Sequence, residues 1–390
     1  MVAGWIILAG SAALPAGLTA QDIDLTGDRL PDWELTEELR IGSLDGEHDA
    51  FHGVGGARIG PDGEAFILDR GIPAVRVFDG EGRFLRQIGG RGQGPGELLS
   101  PLSWDLVSDT LWIADQRLGR VSLFTLGGEL VRDHRISEAR GSAGGLSPVQ
   151  ALPGGGFLAV APLGPDLRRA ERGVVAFQQH LLRLGPEMAV QDTLNSYGVE
   201  FPALHAGAGG IVNFNAAADG PLAVHSADPE IRTLIIHRRV PEGRETEAEF
   251  RIRVTGSEED REITVRYAPV PLPGAVRDSV RSSLQGTLDR SGAPRSTTAE
   301  LMELATLPET LPPVTAATLA PDGSLWLERE RFTERTRWLV LDRELAPVAH
   351  VVAPAGRTLR LTAVSGDHVW AVEEDELGVE SVVRYRIVRP

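Results

Sequence analysis

Apolar residues in this chain arrive in short runs punctuated by turn residues, and the spacing is that of strands. Arg58–Gly60 leads into a Pro-Asp-Gly turn at Pro61–Gly63. Glu64–Asp69 and Ala74–Asp79 follow as strands, and Gly80-Glu81-Gly82 turns the chain into Arg83–Ile88. Regular turn signals between β-rich runs predict an antiparallel meander. The second and third runs are apolar at nearly every position instead of alternating. A strand covered on both faces reads that way, so each meander is expected to lie between two others.

The meander repeats. Arg58–Gly89 aligns without a gap on Trp104–Arg135 at a constant offset of 46 residues, with Phe66 on Trp112, Asp69 on Asp115, Phe78 on Phe124 and Gly82 on Gly128. Weaker copies lie at Val149–Glu187, from Phe214, at Ala316–Val352 and at Leu361–Val388, with Trp326 and Trp370 at the place of Trp112. A period in the forties with four strands per unit means a β-propeller. The expected fold is all-β: six four-stranded antiparallel blades over residues 30–390. The last unit shows three clear strands, and Trp33–Gly42 has no unit of its own. Pairing the two closes the ring by an N-terminal strand and leaves no exposed edge. Residues 268–313 break the pattern with a Pro-rich, partly helical insertion between blades four and five. Val276, Val280, Leu284 and Leu288 predict one helix, and Thr297-Thr298 with Glu300 cap a second. The insertion reads as a structural flap or as a lid.

At the N-terminus an apolar run from Trp5 to Ala16 precedes Leu18-Thr19-Ala20. This predicts a secretory signal peptide over residues 1–20, cut after Ala20, and a secreted or periplasmic location. The run is too short for a good membrane span, and no other stretch approaches that length. Composition narrows the partners. The net charge is −16 and all 39 basic residues are Arg, so nucleic-acid phosphates would be repelled. With no Cys, disulfides, thiol catalysis and thiolate zinc sites are excluded.

Between the first two units lies Gly89–Pro101, GGRGQGPGELLSP. A phosphate cradle would want a third glycine where Pro95 stands, or a following Lys, and a helix after it. The glycines are better read as freeing the backbone of an inter-blade crossover. Over Gly53–Leu98 the sequence resembles six-bladed β-propellers of the NHL and TolB-like type, above all secreted bacterial members with a G-x-G-x-G-P-G-E loop after the first blade. The likeness is strong over Arg40–Ile136, fair over Ala316–Val388 and poor between. It implies a six-bladed ring and export. It does not imply one activity, because this fold carries lactonases, lyases, glycosidases and scaffolds.

Candidate chemistry gathers on the crossover face. Asp69, Asp115 and Glu328 end second strands, where they either do acid/base work or bond backbone amides of the next turn. Arg70, Gln116, Arg117 and Arg329 follow them, and Arg91, Gln93 and Glu97 sit on the glycine loop. Arg70, Arg91, Gln93, Gln116 and Arg117 are the candidate ligand-binding set, suited to anionic groups. A binding module for a protein, peptide or glycan, with no cofactor, is the first reading. The alternative is a lactonase-like or lyase-like hydrolase with a divalent metal such as calcium on the axis. For it the candidate ligands are His52 before blade one, His205 before blade four, and His225 at the end of a second strand.

Overall fold

A computed structural model describes residues 19–27, 29–136, 145–163, 173–206, 210–213, 221–226, 232–238, 245–255, 260–290, 308–331, 333 and 336–390. The chain opens with β1 (Thr19–Asp24) and β2 (Asp32–Ile41). Blade one is β3 (Val54–Ile59), β4 (Ala65–Asp69), β5 (Ala74–Phe78) and β6 (Phe84–Ile88). Blade two is β7 (Pro101–Val107), β8 (Thr110–Asp115), β9 (Arg120–Thr125) and β10 (Leu130–Arg135). Blade three holds β11 (Ser147–Ala151), β12 (Phe157–Leu163), β13 (Gly173–Leu184), β14 (Val190–Ala206) and β15 (Gly210–Asn213). Blade four holds β16 (Leu222–Ser226), β17 (Arg232–His237), β18 (Ala248–Thr255) and β19 (Arg261–Tyr267). Helix α1 (Gly274–Arg290) then leads to blade five, β20 (Ala316–Leu319), β21 (Leu325–Arg329), β22 (Arg337–Leu341) and β23 (Pro347–Val352). Blade six has β24 (Leu359–Ser365), β25 (His368–Glu374) and β26 (Glu380–Val388).

The closing strand is β2. It runs antiparallel to β26, with Thr36 opposite Arg386 and Ile41 opposite Val382, and its first residues also run parallel to β23. Blade six thereby gains its fourth strand from the N-terminal side of the ring.

Packing between blades explains the repeat. Phe66, Trp112, Trp326 and Trp370 are all buried, and each faces the next blade in the ring. The opposite face of the same strands packs backwards, with Ile67 toward blade six and Leu111 and Ile113 toward blade one. A second strand therefore buries both faces, which is why its sequence does not alternate. Gly82 and Gly128 sit at φ of +82° and +101° in equivalent turns, a backbone region that side chains resist.

Two blades depart from four strands. β1 adds a parallel fifth strand to the outer edge of β19, burying Ile23 and Leu25 against blades four and five. Sequence reading placed these residues before the ring. Thr19 and Ala20, the last residues of the expected leader, begin this strand, and residues 1–18 lie outside the described residues. Blade three carries β15, and its β13–β14 ribbon runs to Ala203, far beyond the expected border at Glu187. The insertion leaves and returns at one point, since Leu272 N donates to Glu309 O and Leu311 N to Val270 O, both at 2.8 Å. Helix α1 is the first expected helix. The second falls on residues outside those described.

Candidate functional site

One face of the ring is built by a recurring device. In blades one, two, five and six the second strand ends where the crossover from the previous blade arrives, and a side chain there ties the two together. Asp69 is fully buried and accepts from Gly71 N (2.9 Å), Ile72 N and His52 N (both 3.2 Å), and from Arg76 Nη2 (2.9 Å). Asp115 accepts from Leu99 N (2.7 Å), Ser100 N (2.8 Å) and Leu118 N (2.9 Å). In blade six Glu373 does the same through Arg357 of the crossover and Arg40 of β2. In blade five Glu328 accepts from Thr315 Oγ1 at 2.9 Å, while Arg329 donates to Pro313 O at 3.3 Å. Asp69 and Asp115 hold backbone amides, so their geometry is that of turn anchors and not of an acid/base pair, while Glu328 and Glu373 hold side chains. Glu373 was legible, because it follows Trp370 by three residues as Asp115 follows Trp112.

The glycine loop is closed on itself. Gly92 N donates to Leu98 O, Gly94 N to Glu97 Oε2 at 2.6 Å, Gly96 N to Asp133 Oδ2, and Leu98 N to Gly90 O at 2.7 Å. With those amides engaged, the loop offers no cradle for a phosphate. Glu97 is folded back against Gly92 and Gly94 and faces its own loop. The loop positions a side chain instead: Arg91 Nη2 donates to Gly71 O at 2.7 Å, which sets it beside Arg70 on the blade-one turn.

The first strands of all six blades frame an axial cavity of about 810 Å³. Its wall includes Gly55 and Arg58, Asp105, Gln150, His225, Thr318 and Arg360. Within it Arg58 bridges three blades. Its Nε donates to Asp105 of blade two at 2.8 Å, and its Nη1 donates to Thr362 O of blade six at 3.1 Å. Between blades three and four the cavity spreads sideways, where Gln179, Tyr197 and Val199 line it. A polar bond crosses that seam, Asn195 Nδ2 to Thr255 Oγ1 at 2.9 Å.

The expected ligand-binding residues divide. Arg70 and Arg91 come together at the blade-one turn; Gln93, Gln116 and Arg117 are exposed on the same face of blade two. The three histidines are not brought together. His52 is exposed at the crossover face, and its amide bonds Asp69. His205 lies on β14, the fourth strand outward in blade three, in register with Ile211. His225 lies on β16, a first strand and not a second one, with Nδ1 3.2 Å from Thr233 Oγ1. Among the described residues no group of three His, Asp or Glu could hold a metal ion. No helix among them is long and apolar enough to cross a membrane.

Burial pushes the His225 imidazole down to about 4, so it is neutral at pH 7. The sign follows from linkage. The unfolded chain takes up this proton near 6.5 and the folded chain resists it, so the stability His225 contributes is whole above pH 6.5 and lost as pH falls toward 4. That loss is about 3 kcal/mol at 1.36 kcal/mol per unit. Denaturant titrations of wild type and His225→Gln at pH 7 and pH 4 should differ by that amount in their acid sensitivity. Equal sensitivity would mean that water reaches the ring freely.

Residues 61–137 match a family model described as a six-bladed β-propeller. No curated protein matches the chain. Among solved structures, a protein of Bacteroides fragilis described as exported is 12% identical, with 95% of this chain and 100% of that chain covered and a TM-score of 0.53. A catalytically inactive virginiamycin B lyase from Staphylococcus aureus is 11% identical, covering 91% and 100%, with a TM-score of 0.42. The first likeness concerns the fold alone, and the second adds nothing to it. Sheet arrangement, family model and structural likeness converge on one architecture: the chain is a six-bladed β-propeller.

Proposed function

We propose that this protein is an exported binding module that takes a polar ligand, a peptide segment or glycan, into the axial cavity from the crossover face. The supporting observation is the cavity itself. Its volume of about 810 Å³ is within the usual range for ligand sites, and all six blades contribute to its wall. Stacked blades hold such a wall still, while crossover and turn residues at its mouth supply selectivity. On this face Arg70 and Arg91 form the paired element of the rim, with Gln93, Gln116 and Arg117 farther out as contacts to a longer ligand.

The experiment uses the full chain, exported in a bacterial host and purified without unfolding. Native mass spectrometry is expected to find a bound molecule that is released unchanged on denaturation. Thr318→Trp, which fills the cavity from β20, should abolish that occupancy while leaving the melting temperature within a few degrees. A plugged variant that keeps its ligand would remove the cavity from the account. Turnover of a simple lactone or ester by the purified protein, lost on metal chelation, would replace binding by metal-dependent hydrolysis. N-terminal sequencing of the exported protein should begin at Gln21.

A further inference from the structure

We infer that the crossover-side mouth of the axial cavity is an oxyanion site, formed by the guanidinium groups of Arg360, Arg70 and Arg331, which receives a carboxylate or a phosphate or sulfate group of the ligand. This rests on the cavity being the ligand site.

Three contiguous blades converge there. Arg360 is on the inner strand of blade six and lines the cavity, with Nη2 donating to Val54 O at 2.6 Å. Arg70 comes from the blade-one turn, and its Nε lies 3.1 Å from where a side chain on Gly55 would begin. Gly55 itself lines the cavity, and a Cβ there would meet Leu68 Cδ2 at 2.7 Å as well as crowd this guanidinium, so the glycine leaves room for both along the wall. Arg331 comes from the turn after β21 in blade five.

Their acidic partners are distant or engaged. Among the described residues, the carboxylates nearest Arg360 and Arg331 are Glu380 and Glu328, each at 3.7 Å. Glu380 already accepts Val54 N at 2.6 Å. Glu328 is buried, which pushes its carboxyl up toward the neutral form, and its Oε1 has no hydrogen-bond partner among the described residues. Among the described residues Arg70 donates only to a carbonyl, Leu102 O, at 3.5 Å. Elsewhere the contrast is plain. Arg40, Arg58 and Arg76 each hold a carboxylate at 2.7–2.9 Å. A chain with 55 acidic residues against 39 basic ones has ample carboxylates to neutralise this mouth. Arg360 is held below the usual range by burial and by the charges of Arg70 and Arg331, against the pull of Glu380. An entering oxyanion would relieve that repulsion and could be gripped by two N–H groups at once.

The test is a thermal-shift titration at constant ionic strength with matched probes. These are inorganic phosphate, sulfate, glucuronate against glucose, and N-acetylglycine against its amide. At least one oxyanion should raise the melting temperature saturably, and its uncharged match should not. Tetrahedral and planar probes separate a phosphate or sulfate source from a carboxylate one. Arg360→Gln should weaken the effective probe at least tenfold and Arg331→Gln several-fold, with Arg251→Gln on the outer side of blade four unchanged. If no probe saturates, or if the Arg360→Gln/Arg331→Gln variant responds like wild type, the inference falls. The wild-type comparison of charged and uncharged probes decides even if a variant fails to fold. A ligand found in the cavity by mass spectrometry with no oxyanion response would sink this inference and leave the binding reading standing.

Discussion

A chain begun at Ser43, lacking β2, should not unfold cooperatively. β2 supplies the fourth strand of blade six, and in its absence β26 presents a bare edge. The strand also brings Leu35 and Ile41 into two inter-blade cores, with Trp33 and Leu39 packed beside them. Burying four such side chains contributes roughly 5–8 kcal/mol, as much as the whole stability of many domains. Circular dichroism melts and gel filtration of the shortened chain should show a broad transition and association through the open edge. Adding a synthetic peptide of residues 30–42 should restore a sharp melt. A second chain, begun at Arg29, lacks only β1, which buries Ile23 and Leu25. It should lose about 2–4 kcal/mol and remain folded. A full-strength melt from the chain begun at Ser43 would show that ring closure does not depend on β2.

Much of this ring was legible, and the reason is local. Blades one, two, five and six carry the aromatic that wedges against the next blade, so Phe66, Trp112, Trp326 and Trp370 mark the period by themselves. Blades three and four carry no such marker. Their outer strands pair with sequence neighbours, β14 with β13 and β15, but the polar and glycine residues of β14 give no strand-like pattern to read. β1 was missed because its partner β19 lies more than two hundred residues away and its own pattern reads as the end of a leader. At the mouth of the cavity Arg70 was visible through its place after a second strand. Arg360 and Arg331 were not, since one sits just before the expected start of the sixth unit and the other beyond the end of β21. Only the ring brings them to Arg70. His225 was assigned to a second strand because Asp219-Gly220 before it reads like Asp62-Gly63, the turn that precedes the second strand of blade one.

Asp69→Ala should cost about 3–5 kcal/mol, because it removes one partner of a buried ion pair. The side chains of Asp69 and Arg76 are 0% and 5% exposed and meet at 2.9 Å. Without the carboxylate, Arg76 keeps only the carbonyls of His48 and Ala50, both at 2.8 Å, and stays charged in a dry site. Three amides lose their acceptor as well. Asp69→Asn retains an acceptor for the amides and should cost about half as much. The exposed pair Arg83–Asp79, cut by Arg83→Ala, should leave stability almost unchanged. Urea denaturation at pH 7 ranks the three. Equal costs for Asp69→Ala and Arg83→Ala would mean that the carboxylate does not anchor the crossover.

The most direct test of a closed ring is a disulfide in a chain that has no cysteine of its own. Thr36 of β2 and Arg386 of β26 are register partners with exposed side chains. Thr36→Cys/Arg386→Cys should oxidise within the monomer, run faster on a non-reducing gel and melt at a higher temperature than its reduced form. Thr36→Cys/Glu129→Cys, with the second thiol on blade two, should stay reduced. Failure of the first pair to close, or closure of the second with equal ease, would contradict the architecture.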